Sequence, residues 1–115
     1  MYTHSPDELV NQSEGLSRLN QNKKLYKTLL KNFYGKNYRD DLVNALDAGE
    51  MEAAEHTAHT IKGVAANLSL SLAYKTILDL ETALKQGAYT PDLLETYLGV
   101  LDETLLRIDA ILLED

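Results

Sequence analysis

Residues 54 to 68 read Ala-Glu-His-Thr-Ala-His-Thr-Ile-Lys-Gly-Val-Ala-Ala-Asn-Leu, and their spacing decides the fold. Ala54, Ala58, Ile61, Ala65 and Leu68 recur at alternating intervals of four and three, the seam of a helix packed lengthwise in a bundle. A seam this rich in alanine lets neighbouring helices approach closely. His59 stands one position past Ala58, at the edge of the seam and facing out. At about 3.6 residues per turn, Lys62 sits roughly 60° from it around the axis and Gly63 roughly 40° to the other side. A glycine inside a helix costs about 1 kcal/mol relative to alanine, so something should want no side chain there. The expectation is a partner that comes close to the imidazole.

Working outward, Ser69-Leu70-Ser71 reads as a tight turn in which either serine can cap the next helix. That helix, over 72–86, carries Ala73, Ile77, Leu80 and Leu84 and stops at Gly87. Thr90-Pro91-Asp92 opens a last helix, with threonine as cap, proline in the first turn and an acid beside it. Its expected seam is Leu94, Leu98, Leu101, Leu105, Ile108 and Leu112, and Gly99 suggests a close helix approach off that seam.

Upstream, Ser5-Pro6-Asp7-Glu8 predicts a capped short helix ending around Gly15. Leu16 and Leu19 then lead through Asn20-Gln21-Asn22 to a helix over 23–34, apolar at Leu25, Leu29, Leu30 and Phe33. Gly35 and Asn37 interrupt it. Another helix follows over 38–48, with Leu42, Val43, Ala45 and Leu46 inward and Gly49 as its stop. Short turns between the last three helices imply alternating directions. The expected fold is all-α, an antiparallel four-helix bundle with short additional N-terminal helices, residues 1–115 forming a single domain.

Composition narrows the function. A chain of 115 residues is long enough for one core without staples. With no cysteine, disulfides and thiolate metal sites are excluded. No apolar run approaches the ~20 residues of a membrane span, and the N-terminus lacks the basic and apolar regions of a signal peptide, so a cytoplasmic domain without membrane contact is expected. A formal charge of −7 argues against nucleic acid as partner. The basic group at Lys23, Lys24, Lys27 and Lys31 reads as the solvated side of a helix.

The hairpin after the central helix gives His59 a neighbour. His59 lies eleven residues before Leu70 and Glu81 eleven after it, so in an antiparallel pair they stand level. Glu81 also flanks a seam residue, Leu80, as His59 flanks Ala58. A carboxylate there can accept a hydrogen bond from one ring nitrogen and leave the other's lone pair outward, as a nucleophile needs. Lys62, one turn from His59, reads as a mobile cation suited to an incoming anion. His56 lies on the same side, and its spacing to His59 is not that of the His-Glu-x-x-His zinc motif. Ala53 stands where a Glu-x-x-His pair with His56 would need its glutamate, so no metal site is expected. No phosphate loop or nucleophile triad is visible, so the chain is not expected to use ATP on its own.

Ala58-His59-Thr60-Ile61-Lys62-Gly63-Val64-Ala65-Ala66-Asn67-Leu68 resembles the signature of histidine-containing phosphotransfer (HPt) domains, Ala-His-x-Leu-Lys-Gly-x-Ala-x-x-Leu-Gly. Leu25-Tyr26 through Phe33, then Leu46 and Ala48-Gly49, are similar to the family's upstream helices, and Leu80-Glu81 through Leu84 to the helix that follows. The likeness spans roughly residues 15 to 113. It implies a phosphocarrier of a two-component phosphorelay rather than an independent enzyme. By that resemblance His59 is the phosphoacceptor, Lys62 the lysine near the phosphoryl group, Gly63 the opening for a receiver loop, and Glu81 the group that orients the imidazole. The implied partners are response-regulator receiver domains, with a hybrid sensor histidine kinase upstream. They would dock around His59, Lys62, Gly63, Ala66, Leu78 and Glu81. No cofactor is intrinsic, Mg²⁺ being expected on the receiver, and a monomer is the family's habit. Ser69 departs from the pattern's glycine, so the helix end should close differently; Val64 is bulkier than usual and Ile61 replaces leucine. The alternatives are a chemotaxis-kinase-type phosphoacceptor domain labelled directly by a kinase, a partner-binding bundle without transfer, and a purely structural bundle.

Overall fold

Apolar residues at helical spacing become seven helices in the computed structural model, which describes residues 2–114. They are α1 (Pro6–Leu9), α2 (Gln12–Arg18), α3 (Lys23–Gly35), α4 (Arg39–Asp47), α5 (Met51–Leu68), α6 (Ser71–Lys85) and α7 (Pro91–Leu112). Among the described residues there is no strand, and no helix is long and apolar enough to cross a membrane. The fold is a helical bundle. α4, α5, α6 and α7 pack on one another in chain order, α3 lies against α7 and α5, and α1 covers α6 and α7.

The α5 seam is as spaced: Ala54, Ala58, Ile61, Ala65 and Leu68 are all buried. Facing it are Ala73, Ile77 and Leu80 of α6. Elsewhere the sequence reading needs correction. The single N-terminal helix expected up to Gly15 is two, divided at Val10, whose backbone is extended (φ −138°, ψ 106°). Leu9 and Val10 are both fully buried. Successive helical residues point about 100° apart, so an extended step lets both side chains enter one core. Ser5 makes no side-chain cap. The caps fall to Asn11 and Asn22, whose side-chain oxygens accept from Glu14 N at 3.2 Å and Leu25 N at 3.0 Å. Neither Ser69, Ser71 nor Thr90 caps by its side chain: Leu70 occupies the position before α6, and Thr90 makes no side-chain bond before α7.

α7 buries Leu101 and Ile108 as expected, but its inward face is turned from the rest of the expected seam. Its fully inward side chains are Tyr97, Val100, Leu101, Thr104, Ile108 and Ile111, while Leu94, Leu98, Leu105 and Leu112 pack half-buried at the flanks. A helix wedged between α6 and α3 buries a wide face, and Thr104 tolerates its centre because its hydroxyl donates to Val100 O at 2.8 Å. Gly99 faces open space, with no atom near a Cβ built there, so no helix approaches it; nothing in the structure explains it.

Three hydrogen bonds tie the N-terminal helices to the α5–α6 turn. Tyr26, fully buried on α3, donates its hydroxyl to Leu68 O at 2.8 Å. Ser69 closes α5 in the left-handed region (φ 59°, ψ 42°), the geometry the pattern's glycine would take. Its cost for a residue with a Cβ, about 1–2 kcal/mol, is offset by bonds from its hydroxyl to Glu14 Oε1 (2.9 Å) and from Asn11 N to its carbonyl (2.9 Å).

Gly15 is therefore no helix stop but the middle of α2, seated on the Tyr26 ring: a Cβ would lie 2.5 Å from the ring carbons. The ring cannot yield while its hydroxyl holds Leu68. Gly15→Ala should thus reverse the usual helix gain of about 1 kcal/mol and cost about 1–3 kcal/mol as overpacking. Chemical denaturation checks this, and a variant as stable as the parent contradicts it.

Candidate functional site

The site follows from the register of the α5–α6 hairpin. Burying Ala58 on one helix and Leu80 on the other turns their neighbours, His59 and Glu81, toward the same outer groove. The two side chains meet: His59 Nδ1 lies 2.9 Å from Glu81 Oε2. Their exposures are opposite, 65% for the imidazole and 2% for the carboxylate. The carboxylate forms the floor of the site and the ring its accessible surface.

A carboxylate this buried needs compensation to stay charged. Lys62 Nζ lies 2.7 Å from Glu81 Oε1 and Lys85 Nζ 3.5 Å from Oε2. Burial pushes the Glu81 pKa up. The hydrogen bonds from Lys62 and His59, with the charges of Lys62 and Lys85, outweigh that and hold it below the usual carboxylate value. An ionised carboxylate only accepts hydrogen bonds, so the bond assigns the ring proton to Nδ1. In the neutral ring, Nε2 is then the nitrogen with the open lone pair, on a side chain that is exposed.

This revises the expected part of Lys62. Its ammonium is not a free cation waiting for an anion but is paired with Glu81, on a side chain 23% exposed. Lys85 was missed by the sequence reading. The signal was present, since Glu81 and Lys85 form a Glu-to-Lys pair four residues apart on one helix, the favourable order.

Gly63 lies exposed four residues past His59, with no atom within 4 Å of a Cβ built on it. Packing within the chain does not require glycine there. Gly99 is equally open, so openness alone does not single out Gly63; its place beside His59 does. Ala66 and Leu78 are both partly exposed, Ala66 two turns along α5 on the His59 side and Leu78 level with Lys62 in the hairpin register. His56 lies exposed one turn before His59, and its carbonyl accepts from the Thr60 hydroxyl at 3.2 Å. Among the described residues no group of three or more His, Cys, Asp or Glu side chains gathers as a metal site would need.

The arrangement is chemically a held imidazole: one nitrogen tied to an ionised carboxylate, the other open, on a face with a gap in its side chains. The sequence profile of the Hpt domain family matches residues 35–112, starting later than the likeness from residue 15 expected, so α1, α2 and nearly all of α3 lie outside it. No curated protein matches the chain, and no solved structure does. Hpt domains are phosphocarriers that move phosphoryl groups through histidine in two-component phosphorelays, interacting with receiver domains and histidine kinases. With well over half of its length matched around this histidine hairpin, the chain belongs to the Hpt domain family.

Proposed function

We propose that His59 takes a phosphoryl group from the aspartyl phosphate of one receiver domain and passes it to the aspartate of another. The observation that carries this reading is the bond between His59 Nδ1 and the buried Glu81, which leaves Nε2 as the nucleophile. In the forward step Nε2 forms a bond to phosphorus as the phosphorus–oxygen bond of the aspartyl phosphate breaks, releasing the receiver carboxylate. The ring keeps its Nδ1 proton and becomes cationic, and Glu81 opposes that charge. The reverse step runs through the same atoms. Little covalent work falls to the protein in such transfers; positioning and charge carry them. Mg²⁺ and a further lysine belong to the receiver in this scheme.

In this reading the receiver loop crosses α5 at Gly63, with Lys62, Ala66 and Leu78 around the point of contact. Lys62 acts through Glu81 before transfer and stands one turn from the arriving phosphoryl group. We read residues 1–115 as one monomeric, cytoplasmic domain, with α3 completing an antiparallel four-helix core with α5, α6 and α7, and α4 packed on α5.

Incubating the chain with a phosphorylated receiver tests the reading. The parent should acquire acid-labile phosphate on His59 Nε2, visible by nitrogen–phosphorus coupling in NMR, and His59→Gln should acquire none. Absence of label from both proteins removes the relay.

Glu81→Ala frees the ring to rotate and to change tautomer, so transfer should slow about 10- to 100-fold, the usual cost of losing the partner that orients a functional imidazole. Lys62 and Lys85 can turn to solvent, which limits the stability loss to about 1–3 kcal/mol. Rapid-quench transfer kinetics alongside a denaturation curve read both quantities, and unchanged kinetics would mean the pairing has no part in transfer.

Gly63→Ala separates stability from docking. The helix should gain about 1 kcal/mol because the space is open, while receiver affinity should fall. Tighter receiver binding by titration calorimetry would sink this account of the glycine.

A further inference from the structure

The face that carries His59 continues beyond Ala66. Ala66 lies seven residues along α5 from His59, two turns and about 10 Å up the same side of the helix. There the surface opens into a cleft of about 290 Å³ between α2, the end of α5 and the start of α6, with Glu14, Arg18, Ala66, Ser69 and Tyr74 in its wall. α2 lies outside the stretch matched by the family profile. One wall of the cleft is thus supplied by this chain's own N-terminal helices.

The wall has a fixed part and a movable part. Glu14 is held by the buried Ser69, whose hydroxyl donates to Oε1 at 2.9 Å. Arg18 Nη2 reaches the same oxygen at 3.3 Å, and both side chains of this pair are about half exposed. An exposed pair four residues apart on a helix contributes only about 0.3–0.5 kcal/mol, so the guanidinium loses little by turning to another carboxylate. Its planar fork suits a carboxylate better than a point charge does. Across the mouth stands Tyr74, an exposed large side chain that lies four residues after Leu70 as Ala66 lies four before it.

A specific interface of standard size covers about 800 Å² on each partner, a disc of about 16 Å radius. A receiver seated over His59 therefore extends across the cleft. We propose that the cleft is a receiver-selecting subsite, in which Tyr74 takes an apolar side chain of the docked receiver and Arg18 a carboxylate next to it. The proposal rests on the reading of His59 as a receiver-fed phosphoacceptor. It adds that α2 helps choose which receiver is served.

Phosphoramidate, a donor small enough to need no docking, labels the parent, Arg18→Glu and Tyr74→Ala, and transfer from each is then timed to every receiver domain of the source genome. All three proteins should take label at equal rates. Transfer to the parent's fastest receiver should drop about tenfold in each variant, equivalent to about 1.4 kcal/mol, with slow receivers barely affected. Changing the facing Asp or Glu of that receiver to Lys should restore Arg18→Glu. Rates within about twofold of the parent for both variants overturn the proposal, and so does an equal loss for fast and slow receivers, which would make the cleft a general contact. A labelled parent that exchanges with no receiver refutes the relay itself, a result distinct from either.

Discussion

The structure turns on one buried carboxylate. Glu81 sits on the inner edge of α6 with almost no exposure, yet it receives His59, Lys62 and Lys85. An isolated charge at that depth would be strongly unfavourable. The lysines that keep it ionised therefore decide its chemistry, because only the ionised form acts solely as acceptor and fixes the proton on His59 Nδ1. The hairpin register brings the ion cluster together, and the ring tautomer and the open Nε2 follow from it in turn. Shifting α6 by one residue would move Glu81 to a different side of its helix and leave the imidazole without a partner.

That chain of dependence explains which parts were readable from the sequence. The α5 seam was, because five apolar residues at strict spacing admit one inward face. The pairing of His59 with Glu81 was, because a short turn at Leu70 fixes the level of every residue in the hairpin. Less was visible where polar residues do structural work. Tyr26, Tyr97 and Thr104 are fully buried, but a search for apolar residues passes over them, and so placed Leu94, Leu98, Leu105 and Leu112 in the centre of the α7 face rather than at its flanks. Lys62 looked like a free cation because a sequence does not show how far a long side chain bends. Its partner lies on the other helix.

The N-terminal helices were the least legible part for a related reason. Their form is set by distant contacts rather than by their own propensity. Val10 extends because Leu9 and Val10 both enter the core, and Gly15 is required by a ring from α3 that holds the carbonyl of Leu68. Ser69 accepts a left-handed backbone only in company with Asn11 and Glu14. These contacts converge on the α5–α6 turn, the point from which the His59–Glu81 register is counted.

A glutamine in place of Glu81 would have nearly the same shape, and the physics separates the two. An amide oxygen could accept from Nδ1 and orient the ring equally well. It could not hold Lys62 and Lys85 by charge, and it would not oppose the positive ring formed once Nε2 is bonded to phosphorus. Two unit charges about 4 Å apart interact by about 4 kcal/mol at an effective dielectric of about 20, and the lysines already claim part of Glu81's. In the proposed transfer the carboxylate would therefore steady the phosphorylated ring by only a fraction of that figure. A modest stabilisation suits a carrier, since a phosphoryl group held too firmly on His59 would not leave for the next aspartate. In the proposed transfer Lys62 tempers Glu81 before the phosphoryl group arrives, and, one turn from His59, it can share its charge with that group afterwards.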